Sequence, residues 1–179
     1  AYQELCRLRL DGYPLAYLTG SSEFYGLKLR IDQRVLDPRP DTESLVDWAL
    51  ETIQLQPRPV VADLGTGSGA IALAIKHHHP AAYVLAIDEC RQALALAQQN
   101  AHQLRLEINF RQGNWLGPLR PNLCHLIVSN PPYISANDPH LPALRHEPLK
   151  ALTSGQDGLD DIRHLIEQAP DFLVEDGHL

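Results

Sequence analysis

The sequence is poor in sulfur: its 179 residues include no methionine and three cysteines, which are Cys6, Cys90 and Cys124. The cysteines are odd in number and lie far apart, so they indicate neither a disulfide framework nor a CxxC metal site. We therefore expect reduced, buried thiols in a cytosolic protein.

Long apolar runs and basic residues are also scarce. No run approaches the length of a membrane span and no signal peptide is visible, so we expect a cytoplasmic protein with no membrane contact. Lys and Arg number 15 against 22 Asp and Glu, a formal net charge of −7. This balance disfavours a tight, sequence-independent grip on nucleic acid phosphates. With 44% hydrophobic residues, the chain can still bury the core of one main domain.

The first part of the chain predicts helices and then a hairpin. A short helical stretch closes at Asp11 and Gly12, and a Pro14-led segment ends at Gly20. Apolar and polar residues alternate over 27–31, which is typical of a strand of a small hairpin. The aromatics at its turn, Phe24 and Tyr25, either pack the hairpin or face a substrate, and packing is favoured.

Residues 38–43 form a stiff segment that runs into a helix start. Asp41 or Thr42 can serve as N-cap of an amphipathic helix that reaches about Leu55. Arg39 stands between two prolines, which is a rigid mount for a cation. In one interpretation, Arg39 points at a cofactor carboxylate or at a partner. In the other, it only shapes the turn, and both interpretations stay open.

Residues 60–90 carry the strongest local signal. A short strand over 60–64 is followed by a flexible turn and by a helix that reaches about His78, and a second strand over 83–87 ends at Asp88. The turn consists of Gly65, Thr66, Gly67, Ser68 and Gly69. Glycines let the backbone approach a ligand, and an acid about 20 residues further on suits ribose hydroxyls. The unit therefore predicts nucleoside binding.

Asp63 narrows the choice of nucleoside. GTGSGA also satisfies the permissive dinucleotide fingerprint, but a carboxylate two residues before the first glycine would repel a pyrophosphate. It suits a cofactor with an ammonium group and a sulfonium. The three histidines at 77–79 point in three directions along a helix, so a solvated helix end is favoured over a metal site.

A second crossover helix over 91–103 leads to a third strand over 107–111. Gly113, Asn114 and Trp115 follow that strand, on the same edge of the sheet as the glycine turn. The indole and the amide could bracket an adenine, or Trp115 could simply pack in the core.

The segment Asn130-Pro131-Pro132-Tyr133 follows the apolar run 126–128 and predicts the carboxyl end of a buried parallel strand, where open α/β sheets place their chemistry. The prolines donate no N–H, so their carbonyls stay free to accept, while Asn130 adds a side-chain carbonyl and Tyr133 a flat ring. Such a set suits a planar NH₂ group, whose nitrogen it could make nucleophilic. Otherwise the prolines merely end the strand.

The last part of the chain predicts a loop and a helix. Residues 135–157 are polar and rich in proline, typical of a lid or substrate loop. A helix from Leu159 is perturbed near Pro170 and stopped by Gly177, where a new strand should begin.

Six segments occur in a characteristic order: P-L-A-Y-L-T-G (14–20), P-R-P-D-T-E (38–43), D-L-G-T-G-S-G-A-I-A (63–72), G-N-W (113–115), I-V-S-N-P-P-Y-I (127–134) and D-P-H-L (138–141). Over almost the whole chain, this set resembles the bacterial release-factor glutamine methyltransferases of the HemK/PrmC type. The resemblance implies a Rossmann-like class I methyltransferase of the α/β class with a mostly parallel sheet. It also implies S-adenosylmethionine as cofactor and S-adenosylhomocysteine as product. The implied substrate is the glutamine of the Gly-Gly-Gln loop of class-1 peptide chain release factors, methylated at N5.

The resemblance also implies roles for the residues at the matching positions. Residues 65–69 would line the methionine end of the cofactor, Asp88 its ribose and Trp115 the neighbourhood of its adenine. Asn130 and the Pro131 carbonyl would hold the glutamine amide, with Pro132 beside it and Tyr133 against its plane, and Asn130 would also contact the cofactor. Transfer would be direct and in line, without a metal or a covalent intermediate. We expect a monomer with no direct nucleic acid partner.

By the same resemblance, residues 1–21 are the remnant of an amino-terminal helical, substrate-binding domain, 22–37 a β-hairpin linker and 38–179 a methyltransferase domain without its last strands. The fourth strand would then keep an open edge. The chain departs from the family pattern at Asn114 and His125, where aspartate is common, at Asp37, where an apolar residue is usual, and between residues 140 and 147, where it is shorter. The Asn114 and His125 departures put only the strength of adenine recognition in question.

Three alternatives remain. An adenine NH₂ would satisfy the same acceptors, so an N6-adenine methyltransferase on DNA or RNA is the nearest rival, although the acidic balance and P-R-P-D-T-E speak against it. A glutamine methyltransferase acting on a ribosomal protein would need the same site. A non-catalytic adenosyl-binding or partner-binding fragment is the third.

Overall fold

The computed structural model of the protein describes residues 2–179 and shows an α/β fold. A five-stranded sheet has the order β5-β4-β3-β6-β7, and a separate two-stranded sheet pairs β1 with β2. The strands are β1 (Ser21–Phe24), β2 (Leu27–Arg30), β3 (Val60–Leu64), β4 (Tyr83–Asp88), β5 (Asn109–Gln112), β6 (Cys124–Ser129) and β7 (Leu173–His178). The helices are α1 (Tyr2–Leu10), α2 (Leu15–Thr19), α3 (Glu43–Ile53), α4 (Ala70–His78), α5 (Arg91–Leu104) and α6 (Asp160–Gln168). All strand pairs of the larger sheet are parallel.

The sheet separates two hydrophobic clusters, because successive side chains along a strand point to opposite faces. In β4, Val84 and Ala86 belong to the cluster that also contains α3 and α4, while Leu85 and Ile87 belong to the cluster under α6. Both faces of the central strands are therefore covered, as parallel sheets require. This places the ends of β3, β4 and β6 along one edge, above the core.

The hairpin packs into the first of these clusters. β1 and β2 are antiparallel, with Phe24 paired to Leu27 across a turn at Tyr25 and Gly26. Phe24 is buried, which confirms packing over a role at a substrate. Tyr25 fixes the hairpin to α3, since its N–H donates to Glu43 Oε1 at 2.8 Å and its hydroxyl to Asp47 Oδ1 at 2.5 Å.

The end of the chain differs from the expectation. The last helix ends at Gln168, followed by a short 3₁₀ turn at Ala169–Asp171, and β7 begins at Leu173. Gly177 therefore does not stop a helix. It lies in β7 near an irregularity in the β6–β7 register, where a Cβ would stand 2.9 Å from the carbonyl oxygen of Val174 and 3.1 Å from that of Cys124.

β7 also removes the open edge expected beside the fourth strand of the sheet. β6 is that strand, and it pairs with β3 on one side and with β7 on the other. The expectation of an open edge was wrong because β7 begins at Leu173 and not at Gly177, where the sequence predicts a new strand, and the 3₁₀ turn around Pro170 ends the helix earlier than predicted.

The cysteine and histidine side chains differ in their exposure to solvent. Cys124 is buried in β6 and burial raises the pKa of its thiol to about 11, whereas Cys90 is exposed, contrary to the expectation of buried thiols. His77 and His78 are exposed in the last turn of α4, as predicted. Within residues 2–179, no helix combines the length and the apolar character that a membrane crossing needs.

Candidate functional site

The glycine turn at residues 65–69 is held from below by buried groups. The N–H groups of Gly65 and Thr66 both donate to the carbonyl oxygen of Ile87, at 2.9 Å, at the end of β4. Asp63 Oδ2 accepts from Thr66 Oγ1 at 2.6 Å and from the N–H of Ala72 at 3.1 Å. These bonds fix the turn against two neighbouring strands.

Asp63 itself is fully buried, and this burial raises its pKa to about 7. Its second oxygen, Oδ1, has no hydrogen-bond partner among residues 2–179. The carboxyl group therefore lies beneath the turn, with no surface open to solvent, and its hydrogen bonds are to Thr66 and Ala72. The sequence predicts that Asp63 suits an ammonium group, and this stays a prediction. In the structure, its carboxyl group stabilises the turn through Thr66 and Ala72.

Asp88 lies at the end of β4, beside the glycine turn. Its Oδ2 accepts from the N–H of Gly67 at 2.9 Å and its Oδ1 from the N–H of Cys90 at 2.8 Å. Burial raises its pKa, while the two backbone N–H groups lower it. Because an ionised carboxylate offers about four acceptor sites, two remain for the hydroxyl groups of a ribose.

Trp115 stands on the other side of the turn. A Cβ at Gly65 would come within 3.2 Å of its ring, so the indole lies directly against the first glycine. The indole N–H donates to Asp161 Oδ1 at 3.0 Å, and the ring also packs on the cluster under α6. The N–H of Gly113 donates to the carbonyl oxygen of Asp88 at 3.1 Å. The loop after β5 thus lies at the same edge as the glycine turn, as predicted. Trp115 packs on the core, and its role toward an adenine stays a prediction.

Asn130 follows β6 directly. Leu64 pairs in register with Ser129, so the glycine turn and Asn130 leave neighbouring strands at the same level. The side-chain NH₂ of Asn130 faces Thr42 Oγ1 at 3.4 Å. An amide whose NH₂ is directed to a hydroxyl presents its oxygen on the opposite side. Asn130 Oδ1 has no donor within residues 2–179, and it is therefore available to a ligand.

A cavity of about 180 Å³ opens beside this asparagine. Asn130, Pro131 and Tyr133 line it, together with Leu36, Arg39, Ile134, Leu144, Ala151 and Leu152. Its wall is largely apolar, and its polar groups come from Asn130, Arg39 and Tyr133. Tyr133 is exposed at the rim, whereas Pro132 does not line the cavity. A side chain with an apolar stem and an amide end fits such a lining.

Arg39 closes one side of the cavity. Its Nη2 donates to both carboxylate oxygens of Glu147, at 2.7 and 2.8 Å. The Glu147 side chain is 5% exposed and that of Arg39 42%. Arg39 thus pairs with an acid of residues 135–157 of its own chain, which neither of the two interpretations from the sequence named.

That loop, residues 135–157, is anchored along its length. The N–H of Ile134 donates to the carbonyl oxygen of Leu152 at 2.9 Å, and the N–H of Ser154 to that of Ile134 at 3.1 Å. Further out, Arg145 Nη2 pairs with Asp11 Oδ1 at 2.7 Å. The loop therefore bridges the amino-terminal helices and the segment after Asn130, and its role as a lid or substrate loop stays a prediction.

Several residues of the site were not predicted. Thr42, which with Asp41 was predicted as a possible N-cap, does lie at the N-cap of α3, but its side chain makes no capping bond and instead faces Asn130. Asp161 was assigned only to a helix, and Glu147 only to a polar loop. His125, a departure from the family pattern, accepts from the N–H of Val60 at 3.1 Å and so serves the pairing of β3 with β6. These partners are 46 to 108 residues apart in sequence, and no local pattern shows them.

The site offers room for a cofactor. A Cβ at Gly67 would meet only the carbonyl oxygen of Gly65, at 3.9 Å, so the space above the turn is open. Within residues 2–179, no group of three or more His, Cys, Asp or Glu side chains is arranged to hold a metal ion.

Comparison with known proteins identifies the relatives of this chain. Residues 46–147 match the model of the methyltransferase small domain family. The release factor glutamine methyltransferase of Coxiella burnetii is 45% identical over 172 residues, which cover 96% of this chain and 62% of that protein. The enzyme of the same name from Escherichia coli is 45% identical over 174 residues, again 96% of this chain and 62% of that protein. The chain thus spans about 62% of the length of these curated relatives.

A solved structure supports the fold. The crystal structure of ribosomal protein L11 methylase from Lactobacillus delbrueckii subsp. bulgaricus is 27% identical, with a TM-score of 0.55, and covers 83% of this chain and 63% of that chain. The resemblance drawn from the six sequence segments and the predicted Rossmann-like class I methyltransferase fold are both confirmed.

Proposed function

Because the chain belongs to the methyltransferase small domain family, we propose that it transfers a methyl group from S-adenosylmethionine to a glutamine side chain. The acceptor is N5 of the glutamine in the Gly-Gly-Gln loop of class-1 peptide chain release factors. Relatives named release factor glutamine methyltransferase at 45% identity support this choice. The observation that carries it is the register of Leu64 with Ser129, which brings a nucleoside-type glycine turn and the Asn130 acceptor to the same edge.

The residues of the turn fit the cofactor. When bound, S-adenosylmethionine would supply a methyl group on a positively charged sulfur. The C–S bond would break as the C–N bond forms, the sulfur would leave as the neutral thioether of S-adenosylhomocysteine, and one amide proton would be lost to solvent after the transfer. Residues 65–69 offer backbone close to the methionine end, Asp88 offers free lone pairs to the ribose, and Trp115 offers an aromatic wall toward the adenine. The buried Asp63 keeps the turn in shape.

Asn130 and Pro131 act on the substrate amide. An amide nitrogen is a poor nucleophile because its lone pair is delocalised. Two acceptors, Asn130 Oδ1 and the Pro131 carbonyl, hold both N–H groups and favour a geometry in which the lone pair turns toward the methyl group. Pro132 stiffens the segment, and Tyr133 at the rim lies against the amide plane. Positioning and exclusion of water from the apolar cavity supply most of the rate.

We further propose the division of the chain. Residues 1–21 belong to a helical, substrate-binding part, 22–37 to the hairpin and 38–179 to the catalytic domain. Contacts of Arg145 and His146 with Asp11 support a first part that helps to hold the lid over the substrate. A release-factor substrate would require a cytoplasmic location, and we propose a monomer.

Methylation of adenine in DNA or RNA is the less favoured function. The net charge of −7 disfavours a tight, sequence-independent grip on nucleic acid phosphates. The relatives at 45% identity carry a release-factor name. A ribosomal protein as substrate would use the same Asn130 site.

The direct test is peptide mass spectrometry. The protein is incubated with S-adenosylmethionine and a class-1 release factor, with a ribosomal protein fraction and with an adenine-containing oligonucleotide in parallel. The Coxiella burnetii relative serves as positive control. We expect one added methyl group on the glutamine of the Gly-Gly-Gln loop. Methylation of the oligonucleotide or of the ribosomal fraction alone would refute the assignment.

Cofactor binding is tested separately by calorimetry. Asp88→Ala should weaken binding of S-adenosylhomocysteine by about 1 to 3 kcal/mol, the cost of losing hydrogen bonds to a charged acceptor. Glu89→Ala is the matched control, because the neighbouring Glu89 is exposed and pairs with Lys150 at 3.1 Å. Equal affinity of Asp88→Ala and wild type would remove Asp88 from the ribose site.

A further inference from the structure

Asn100 is a buried polar residue on the apolar face of α5. Its side chain has no solvent exposure, while its neighbours on that face are Ala93, Leu96, Ala97 and Ala101. A buried amide is costly unless its hydrogen bonds are made. The position of Asn100 among small apolar residues therefore calls for a specific partner.

The amide of Asn100 makes three hydrogen bonds to two distant segments. Its Oδ1 accepts from the N–H of Arg30 at 2.7 Å, and its Nδ2 donates to the carbonyl oxygen of Arg30 at 3.2 Å. Nδ2 also donates to the carbonyl oxygen of Ser68, at 2.9 Å. Asn100 thus pairs with the end of β2 as a neighbouring strand would and, with the same nitrogen, reaches the glycine turn.

The hydrogen bond from Asn100 Nδ2 to the Ser68 carbonyl oxygen matters because of the geometry around the turn. Gly69 has a φ of 84°, and a Cβ there would stand 3.2 Å from the Cβ of Ala97, so α5 packs closely against the end of the turn. Ser68 is itself buried. The Ser68 peptide is therefore held by Asn100 on one side, while on the other the N–H of Gly67 is held by Asp88. The direction of the N–H groups between them depends on both contacts.

We propose that Asn100 is a positioning residue for cofactor binding: through the Ser68 carbonyl it fixes the glycine turn, and through Arg30 it connects that turn to the hairpin. The inference rests on the proposed function, because it concerns how S-adenosylmethionine is bound. Asn100 does not touch the cofactor. It acts by keeping the turn in the conformation that binds it.

Gln103 provides a matched control. It lies on the same helix, and its Nε2 donates to the carbonyl oxygen of Lys28 in β2 at 3.4 Å. It therefore also joins α5 to the hairpin, from an exposed position and at Lys28 instead of Arg30, but makes no hydrogen bond to the glycine turn. A purely structural role for Asn100, in which the hairpin is merely attached to α5, would give both residues effects of the same kind.

The test compares Asn100→Asp, Asn100→Ala and Gln103→Ala without ligand and with S-adenosylhomocysteine. Aspartate keeps the acceptor for the Arg30 N–H but replaces the donor to Ser68. Alanine removes all three bonds without burying a charge, so misfolding of one variant leaves the other to decide. Amide hydrogen exchange of residues 66–70 is measured in the ligand-free protein, and calorimetry gives the dissociation constant.

For either Asn100 variant we expect exchange of the turn amides to accelerate about tenfold or more and the dissociation constant to rise about tenfold to a hundredfold. Turnover at saturating cofactor should fall much less than the KM for cofactor rises. Gln103→Ala should change each of these less than about twofold. Unchanged turn amides in a folded Asn100 variant, or equal effects of the Asn100 and Gln103 variants, would overturn the proposal.

The two assignments fail separately. If the wild-type protein binds no S-adenosylhomocysteine, the proposed function is wrong, while the exchange of the turn amides still decides whether Asn100 holds the turn.

Discussion

Trp115 and Asp161 join two parts of the molecule: the indole N–H beside the glycine turn donates to the carboxylate in the first turn of α6, at 3.0 Å. The N–H of Asp161 in turn donates to Ser154 Oγ at 2.8 Å, and the N–H of Ser154 to the carbonyl oxygen of Ile134. A series of hydrogen bonds thus runs from Trp115, whose ring lies against Gly65, to the segment just after Tyr133. The proposed cofactor side and the proposed substrate side of the site are thereby connected by hydrogen bonds.

Asp161→Ala tests this connection. Loss of the acceptor leaves a half-buried indole N–H unpaired, and we expect weaker binding of S-adenosylhomocysteine by about 1 kcal/mol, roughly fivefold. Calorimetry measures it. Asp160→Ala is the control, since Asp160 also places an acid in the first turn of α6 but is not a partner of Trp115. Equal losses in both variants would assign the effect to the helix terminus and not to the indole.

The raised pKa of Asp63 predicts a pH dependence of stability. Burial raises this pKa from 3.8 to about 7 in the folded state. The folded protein therefore holds the proton more tightly than the unfolded chain does, so the contribution to the free energy of unfolding is full below pH 3.8 and is lost as the pH rises to about 7. The decrease amounts to a few kcal/mol at most, at about 1.4 kcal/mol per pKa unit.

Urea denaturation at several pH values measures this decrease. Asp63→Asn resembles the protonated acid, and we expect it to flatten the slope across that interval. The raised pKa of Asp88 contributes a slope of the same sign, and that part should persist in the variant. A variant with the full wild-type slope would show that Asp63 does not titrate in this range.

The ion pair of Arg39 with Glu147 predicts how strongly residues 135–157 are held over the cavity. Arg39→Met leaves a carboxylate that is 5% exposed without its cation. We expect a loss of about 1 to 3 kcal/mol in urea denaturation, less than for a fully buried pair because Arg39 is partly exposed. Proteolysis within residues 140–150 should also become faster.

Arg145→Met is the matched control for the lid. It breaks a pair with Asp11 in which both side chains are more than half exposed, and such pairs contribute about 0 to 1 kcal/mol. If both variants lose the same free energy of unfolding, the Arg39–Glu147 pair contributes no more than an exposed ion pair, and Arg39 does not hold residues 135–157 over the cavity.

The sequence predicted the sheet and the position of its functional edge, because hydrophobic periodicity and glycine or proline signals are local. The strands over 60–64 and 83–87, the turn between them and the acid at Asp88 lie where they were expected. The start of β7 was predicted too late, at Gly177, since Leu173 and Val174 continue an apolar pattern that a helix could share, and a 3₁₀ turn at Pro170 ends that helix early.

The side-chain partners could not be predicted, because they depend on tertiary contacts. The helical pattern places Asn100 only as one more position of a crossover helix, although a polar residue on an otherwise apolar face is a recognisable signal of a buried hydrogen-bonding role. Asp41 or Thr42 was predicted as the N-cap; Thr42 lies at that position, but its side chain contacts the distant Asn130 and makes no capping bond. The identity of each partner requires the fold.

Asn130 provides the sharpest test of the mechanism. Its side-chain NH₂ faces Thr42 Oγ1, so its oxygen is the group available to the substrate. Asn130→Ala removes this acceptor and leaves the target N–H unpaired in an apolar cavity, and single-turnover methylation should slow by about 10²- to 10³-fold. Asn130→Asp keeps an acceptor of the same shape, and the Thr42 hydroxyl can turn to donate to it. The aspartate variant should therefore retain clearly more activity than the alanine variant.

The comparison is made by single-turnover methylation of a release factor, with cofactor affinity measured for each variant by calorimetry. Thr42→Val belongs in the same series, because it removes the hydroxyl that orients the Asn130 amide, and a partial loss is expected. The added charge of aspartate can also strengthen ground-state binding and so reduce its advantage. If aspartate falls as far as alanine while both variants bind cofactor, Asn130 does not act as an acceptor, and its function lies in its NH₂ group or in holding the segment that follows β6.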